Sequence, residues 1–375
     1  MKIAFNNLNA QWNVIKGECF KELHSLFEKS NFILGEQVGQ FEKSFSDYTE
    51  TTYAVGVSSG TDALKLAAQS LLATGRVPPE SSGICVVIPA NTFIATLLGI
   101  EQAFPDAHFQ LIDCDDYYQM DTTLLHSFIK SNRHHFHDIV IVPVHLYGYT
   151  CNMDEIGNIA SEYGCRILSD SSQAHGAFWK ENRAGSMATV SAFSLYPGKN
   201  LGGAGDGGIV TTDSYPICES LRLLRNLGSN KKYEHEVKGG NHRLDTIQAI
   251  ILNAKLKHLD TWNDNRRRIV RLYENNIDNP HIILPKTPRG CTPVHHIYPI
   301  RTNYRDRLMA FLEDHGIQTG IHYPIPIERM SMYRQLGPCP KTLRNSGQLL
   351  SLPIHPFMRE QEVKYVYDTL NSYKE

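Results

Sequence analysis

"SLYPGKNLGGAGDGG", Ser194–Gly208, holds one lysine, one aspartate and six glycines in fifteen residues. A lysine beside so pliant a backbone has two chemical uses. It can grip a phosphate as a point charge, or it can be a nucleophile that forms a Schiff base. The order of residues opposes the first use. A P-loop reads G-x-x-x-x-G-K-[ST], with glycines ahead of the lysine and a hydroxyl directly behind it. Here the glycines follow Lys199, and the next residue is Asn200. A plain surface turn with an incidental lysine fits the same stretch, so the flanking chain has to decide.

Upstream, short apolar runs alternate with helical patterns. "CVVIPA" (85–90), "HFQLIDCD" (108–115), "DIVIVPVHLYG" (138–148) and "CRILSD" (165–170) read as buried strands. "TDALKLAAQSLLA" (61–73) and "MDEIGNIASEYG" (153–164) read as helices. The alternation predicts an α/β domain with a mostly parallel central sheet. From residue 245 the period changes. Ile247, Ile250, Ile251, Ala254 and Leu259 recur near helical spacing and predict one long helix leaving the first domain. The remainder, with "VHHIYPIR", "RDRLMAFLEDHG" and "EQEVKYVYDTLNSY", suits a smaller α+β domain. The expected division is a large domain over 1–250 and a small C-terminal domain over 251–375.

Bulk properties narrow the class. A chain of 375 residues with 41% hydrophobic and 20% charged residues is that of an ordinary globular protein. A net charge of −2 without a basic run gives nucleic acid nothing to hold. No apolar stretch reaches the ~18 residues of a membrane span. No secretion signal opens the chain, and eight cysteines lie scattered without C-x-x-C pairs, so a cytoplasmic protein with reduced thiols is expected. "HHFH" (134–137) reads as a loop, and no metal site is expected.

In open α/β sheets ligands bind beyond the carboxyl ends of the strands. Polar or aromatic groups follow five apolar runs: Thr61, Asn91-Thr92-Phe93, His145 with Tyr147, Asp170 with Gln173, and Lys199. Pyridoxal 5′-phosphate (PLP) would use such a set. Its phosphate needs helix-start N–H groups and hydroxyls, which Gly60, Thr61 and Ser194 can supply. Its pyridine nitrogen needs an anion to stay protonated, and Asp170 is the candidate. Gln173 can donate to the phenolic oxygen, Phe93 can stack on the ring, and Lys199 can meet the aldehyde. Each has a plainer explanation when taken alone: Thr61 as a helix N-cap, Asp170 as a cap after a strand, Phe93 as core packing.

The chain resembles the DegT/DnrJ/EryC1/StrS family of PLP-dependent sugar aminotransferases, of aspartate-aminotransferase fold type I. The motifs that carry the resemblance are "FILGEQVGQFE", "VSSGTDALKLA", "IPANTFIAT", "VPVHLYG", "SDSSQAHGA", "FSLYPGKNLGGAGDGG", "GGNHRLDTIQAIILNAKL", "IHYPIP" and "SLPIHP", in family order from residue 32 to 356. The resemblance implies that Lys199 is the Schiff-base lysine, that Asp170 faces the pyridine nitrogen and that Gln173 faces the phenolic oxygen. It implies phosphate contacts from Gly60, Thr61 and Ser194, and ring stacking by Phe93. Asn241 would reach the phosphate of a neighbouring subunit, giving a homodimer with shared active sites. Arg243, His322 and Tyr323 would meet substrate. The implied reaction moves the amine of L-glutamate to a nucleotide-linked keto-sugar, as in deoxyamino-sugar and lipopolysaccharide O-antigen biosynthesis. "GDGG" after the lysine resembles members that aminate C3 of a dTDP-3-keto-6-deoxyhexose; members acting at C4 often carry "GEGG". A C4 aminotransferase is the nearest alternative, and a catalytically silent PLP- or sugar-nucleotide-binding regulator a more distant one. Relatives with 3-dehydratase activity carry histidine at the lysine position. The chain departs from the family pattern at Glu328, where histidine is usual, and at Ser169, where an acidic residue is usual. It also departs in the link "SLLATGRVPPESSGICVV", read as a long surface loop.

Overall fold

The computed structural model describes residues 1–71, 83–231 and 233–375. The long link falls mostly on residues 72–82, outside the described residues. Seven strands form the main sheet in the order Tyr53–Val57, Gly208–Thr212, Val190–Ser194, Arg166–Asp170, Asp138–Ile141, Ile84–Pro89, His108–Ile112. Gly208–Thr212 runs antiparallel to both its neighbours, and the remaining pairings are parallel. The apolar runs become strands because both faces of the sheet are covered. Every residue of Ile84–Pro89 and of Asp138–Ile141 is buried. Alternate residues serve opposite faces: Val86, Ile88, Val140 and Leu168 join one core, and Cys85, Val87, Ile139 and Ile167 the other. Each such side chain contributes about 1.5–3 kcal/mol by leaving water.

The connecting helices carry their own start and stop signals. In Met153–Tyr163, Asn152 caps the first turn and Gly164 ends the last in the left-handed conformation at φ 65°. The predicted single helix from residue 245 is two helices, Thr246–Leu256 and Leu259–Asn276. The break at Lys257–His258 contains neither proline nor glycine, so no local signal announces it. Packing imposes it. Leu252 and Leu259 pack in one core with Phe41 and Phe193, whereas Ile269, Val270 and Tyr273 belong to another.

That other core holds the C-terminal part of the chain. It gathers Tyr298 and Ile300 from Tyr298–Arg301, Leu350 and Leu352 from the antiparallel strand Leu349–Leu352, and Val363, Val366 and Leu370 from the helix Glu360–Ser372. Ile3, from the opposite end of the chain, completes it. We propose the division near residue 250 as the point where the chain begins to leave the first core, with Leu259–Asn276 contributing to both. Among the described residues, no helix is long and apolar enough to cross a membrane.

Candidate active site

The carboxyl ends of the parallel strands open onto a cavity of about 470 Å³, within the size range of small-molecule sites. Gly60, Thr61, Phe93, Asp170, Gln173, Ser194, Lys199, His322 and Tyr323 all line it. Asn241 and Arg243 do not. Asn241 is exposed, and Arg243 Nη1 donates to Asn226 Oδ1 at 2.9 Å outside the cavity.

One wall is a helix start. Gly60–Ser70 is capped by Ser59, whose Oγ accepts from Asp62 N at 3.0 Å. Thr61 is therefore not the cap, and its hydroxyl is not committed to that role. First-turn N–H groups have no acceptor within their own helix, so this end suits an anion. Gly60 is needed for the fit: a Cβ there would lie 2.5 Å from Ser194 Cβ. Its absence lets the end of Val190–Ser194 close against the helix and brings the Ser194 hydroxyl to the same corner.

The floor is Asp170, nearly buried at 5% exposure. Its Oδ1 accepts from Ser172 N at 3.0 Å and its Oδ2 from Thr96 Oγ1 at 2.7 Å. The Thr96 proton is thus spent on the carboxylate, so in the 2.7 Å contact with Thr92 the Thr92 hydroxyl is the donor. No helix starts at Asp170 for it to cap; the strand Arg166–Asp170 is followed by turns. Gln173 is oriented by its neighbours. Its Oε1 accepts from Tyr147 N at 2.6 Å, and its Nε2 donates to Tyr323 OH at 3.1 Å. Phe93 is 50% exposed, which rules out core packing; its ring packs on Tyr323 with centroids 5.2 Å apart.

Lys199 sits in a braced loop. Its N–H donates to Tyr196 O at 2.9 Å, and Lys255 Nζ donates to Gly202 O at 2.6 Å. Asn200 ties the loop to the far side: its Nδ2 donates to Asn263 Oδ1 at 2.9 Å and Val294 O at 3.0 Å, and its Oδ1 lies 3.1 Å from His296 Nδ1. Burial pushes the Lys199 ammonium down to about 8, opposed by the charge of Asp170. His322 is pushed down to about 4 by burial, with the Lys199 charge adding to the effect. At neutral pH Lys199 thus faces a neutral imidazole.

Some predicted rim groups turn away. His145 is fully buried, its Nδ1 accepting from Cys151 N at 3.2 Å. Asn91 Nδ2 donates to Tyr118 O at 3.3 Å, and Tyr147 is buried beneath Gln173. These groups lie past the ends of their strands, in turns whose path decides which side chains face the cavity. Ser169 points to the other side, sharing hydroxyl contacts with Ser191 at 2.8 Å and Ser171 at 3.2 Å. Glu328 is buried outside the cavity, its carboxyl pushed up by burial. "HHFH" forms a short turn over Arg133–His135 and the residues after it.

The structure adds groups that sequence reading missed. Thr96 lies four residues after Thr92, a helical spacing that could have flagged it. His296 and the N-terminal Asn6 line the cavity with no local signature.

The fit to PLP can be judged from the donor set. The corner at Gly60, Thr61 and Ser194 offers an uncrowded anion cradle, Asp170 a fixed carboxylate, Gln173 an oriented amide, and Lys199 an amine that sheds its proton easily. The residues present suit the cofactor.

Known proteins agree. The family model described as the DegT/DnrJ/EryC1/StrS aminotransferase family matches residues 13–371. The chain is 36% identical over 379 residues to a dTDP-3-amino-3,4,6-trideoxy-alpha-D-glucose transaminase of Streptomyces venezuelae, covering 100% of this chain and 97% of that one. It is 38% identical over 359 residues to a dTDP-3-amino-3,6-dideoxy-alpha-D-galactopyranose transaminase of Aneurinibacillus thermoaerophilus, with 95% of each covered. The crystal structure of S. venezuelae DesV superposes with a TM-score of 0.91 at 35% identity, covering 99% of this chain and 98% of that one. A match that spans the whole cavity and both cores makes the chain a member of the DegT/DnrJ/EryC1/StrS family and an enzyme, a PLP-dependent aminotransferase.

Proposed function

We propose that the enzyme transfers the amine of L-glutamate to C3 of a nucleotide-linked 3-keto-6-deoxyhexose, with dTDP as the nucleotide. The observation that carries the aminotransferase chemistry is Lys199, an amine poised near 8 in a cavity floored by Asp170. The choice of C3 and dTDP is supported by the two full-length relatives, each named for a dTDP-3-amino sugar.

PLP, when bound, supplies a protonated ring that takes up the electron pair left as the donor's α-proton departs. Asp170 holds the charge that keeps that ring protonated, and Thr96 and Ser172 hold Asp170. Gly60, Thr61 and Ser194 bind the phosphate. Gln173 and Phe93 orient the ring by its edge and its face. The Lys199 amine would meet the cofactor's aldehyde and would take up and return the proton of the donor Cα, acting as both nucleophile and general acid/base. The second half runs in reverse on the keto-sugar.

Asn241, outside the cavity of its own chain, serves the cavity of a second copy in this reading. Mixed dimers of Lys199→Ala and Asn241→Ala subunits separate the possibilities. A shared site leaves one cavity intact and restores up to about half of wild-type activity. Activity that stays at the parental average removes the shared site. For the substrate, the enzyme is incubated with glutamate and a panel of 3-keto and 4-keto nucleotide sugars, and the new amine is located by NMR. Amination at C4 alone overturns the C3 reading.

A further inference from the structure

Residues 1–7 belong to no strand of the main sheet, yet they reach the cavity. Ile3 N donates to Gly316 O at 2.8 Å, and Gln318 N donates to Ile3 O at 3.0 Å. Phe5 N donates to Gln318 Oε1 at 3.0 Å, and the Phe5 ring stacks on His322 with centroids 5.7 Å apart and planes 17° apart. Two residues later the chain is pinned a second time, by a helix. Asn7 caps the helix Leu8–Lys29, its Oδ1 accepting from Ala10 N at 3.0 Å. That helix packs Ile15 and Cys19 on Ile251 and Ala254. Asn6 is fixed between the two anchors, and it lines the cavity.

Its carboxamide is oriented. Oδ1 accepts from Asn7 N at 2.8 Å, and only an oxygen can accept there. The amide nitrogen is the end left over, with no protein acceptor among the described residues. A Cβ built on Gly198, the residue before Lys199, would come within 3.9 Å of Asn6 Nδ2. A neutral N–H donor beside Gly198 of the lysine loop, in a cavity that also presents Lys199, Gln173, His322 and Tyr323, matches the oxygens of an uncharged sugar ring. It matches poorly with the carboxylates of an amino-acid donor, which call for cations.

We propose that Asn6 is a specificity-determining residue for the acceptor, donating a hydrogen bond from its carboxamide to an oxygen of the keto-sugar. The inference rests on the keto-sugar reading above. A site built to pair an N–H with a substrate oxygen discriminates strongly against analogues that lack it.

The two halves of the reaction provide the test, because only one of them contains the sugar. Asn6→Leu removes the donor at similar volume, and Asn6→Asp removes it at the same shape. For each, the rate at which glutamate bleaches the visible cofactor band is measured alone, without sugar. KM and kcat for the keto-sugar are then measured, together with the Kd of the amino-sugar nucleotide product by calorimetry. The expected result is a bleaching rate within about twofold of wild type, with sugar KM and product Kd both raised about tenfold. A deoxy analogue lacking the contacted oxygen should bind wild type and Asn6→Leu equally. Unchanged product Kd in both variants overturns the proposal, as does an equal loss in the glutamate step, which would show a structural role for the segment. If wild type aminates no keto-sugar at all, the keto-sugar reading falls and this proposal with it. If wild type does so and the variants match it, only the role of Asn6 falls.

Discussion

The two ends of the central sheet each bury charge, and they treat it in opposite ways. At the amino end, Arg166 Nε meets Asp138 Oδ2 at 2.8 Å, and Arg166 Nη1 donates to Leu71 O at 2.9 Å. The pair joins the starts of two adjacent strands, and its charges are spent on each other. At the carboxyl end, Asp170 is satisfied by Thr96 and Ser172, while Lys199 makes no ion pair or hydrogen bond through its Nζ among the described residues. Asp170 raises the affinity of Lys199 for its proton without pairing with it. One end uses charge to hold strands together. The other holds opposite charges apart, so that both stay available to something placed between them.

The largest expected effect breaks the open end. Lys199→Ala should leave PLP bound non-covalently but lower turnover at least about 10⁴-fold, because nucleophile and proton carrier vanish together. Retained turnover, or failure of borohydride to fix the cofactor on wild-type Lys199, would remove the lysine from the reaction. The same group sets a pH dependence. Only the neutral amine attacks an aldehyde, so PLP uptake by cofactor-free enzyme should rise about tenfold per pH unit up to about 8 and level off above it. A flat profile from pH 6 to 9 would contradict the lowered lysine pKa.

The closed end should respond in stability instead. Arg166→Ala leaves Asp138 buried without its partner and should cost about 3–5 kcal/mol of unfolding free energy in denaturant melts. The kcat of the fraction that folds should stay near wild type. A matching fall in kcat with no loss of stability would dissolve the contrast between the two ends. Between these lies Asp170→Asn. A carboxylate ~4 Å from a cation at an effective dielectric near 20 is worth about 4 kcal/mol before desolvation. Losing half of that slows proton removal about 30-fold, measured as the rate of glutamate bleaching. Thr96→Val, which takes one hydrogen bond from Asp170, should be the mildest, about fivefold on the same rate. An effect as large as that of Asp170→Asn would mean that Thr96 holds the carboxylate in place rather than tuning it.

Much of the carboxyl end was legible in the chain. Thr61, Phe93, Asp170, Gln173 and Lys199 each follow an apolar run, and a parallel sheet delivers the ends of its strands to one rim. The outcome depended only on local patterns and one topological rule. Within each cluster, however, the sequence could not say which residue faces in. His145 and Asn91 turned away, because they lie past the strand ends, in turns whose path strand periodicity does not set.

Local patterns determined the strands and most of the helices, since each depends on neighbours in sequence, whereas the need for glycine at position 60 comes from Ser194, far along the chain. Tertiary structure alone decided the rest. It broke the helix at Lys257–His258, where the sequence carries neither proline nor glycine. It tied Asn200 to Asn263 and His296, partners 63 and 96 residues away. It carried Asn6 to the lysine through a pairing between Ile3 and Ile317. These contacts join segments whose patterns are independent, and their formation depends on how the two cores dock, which no window of sequence contains.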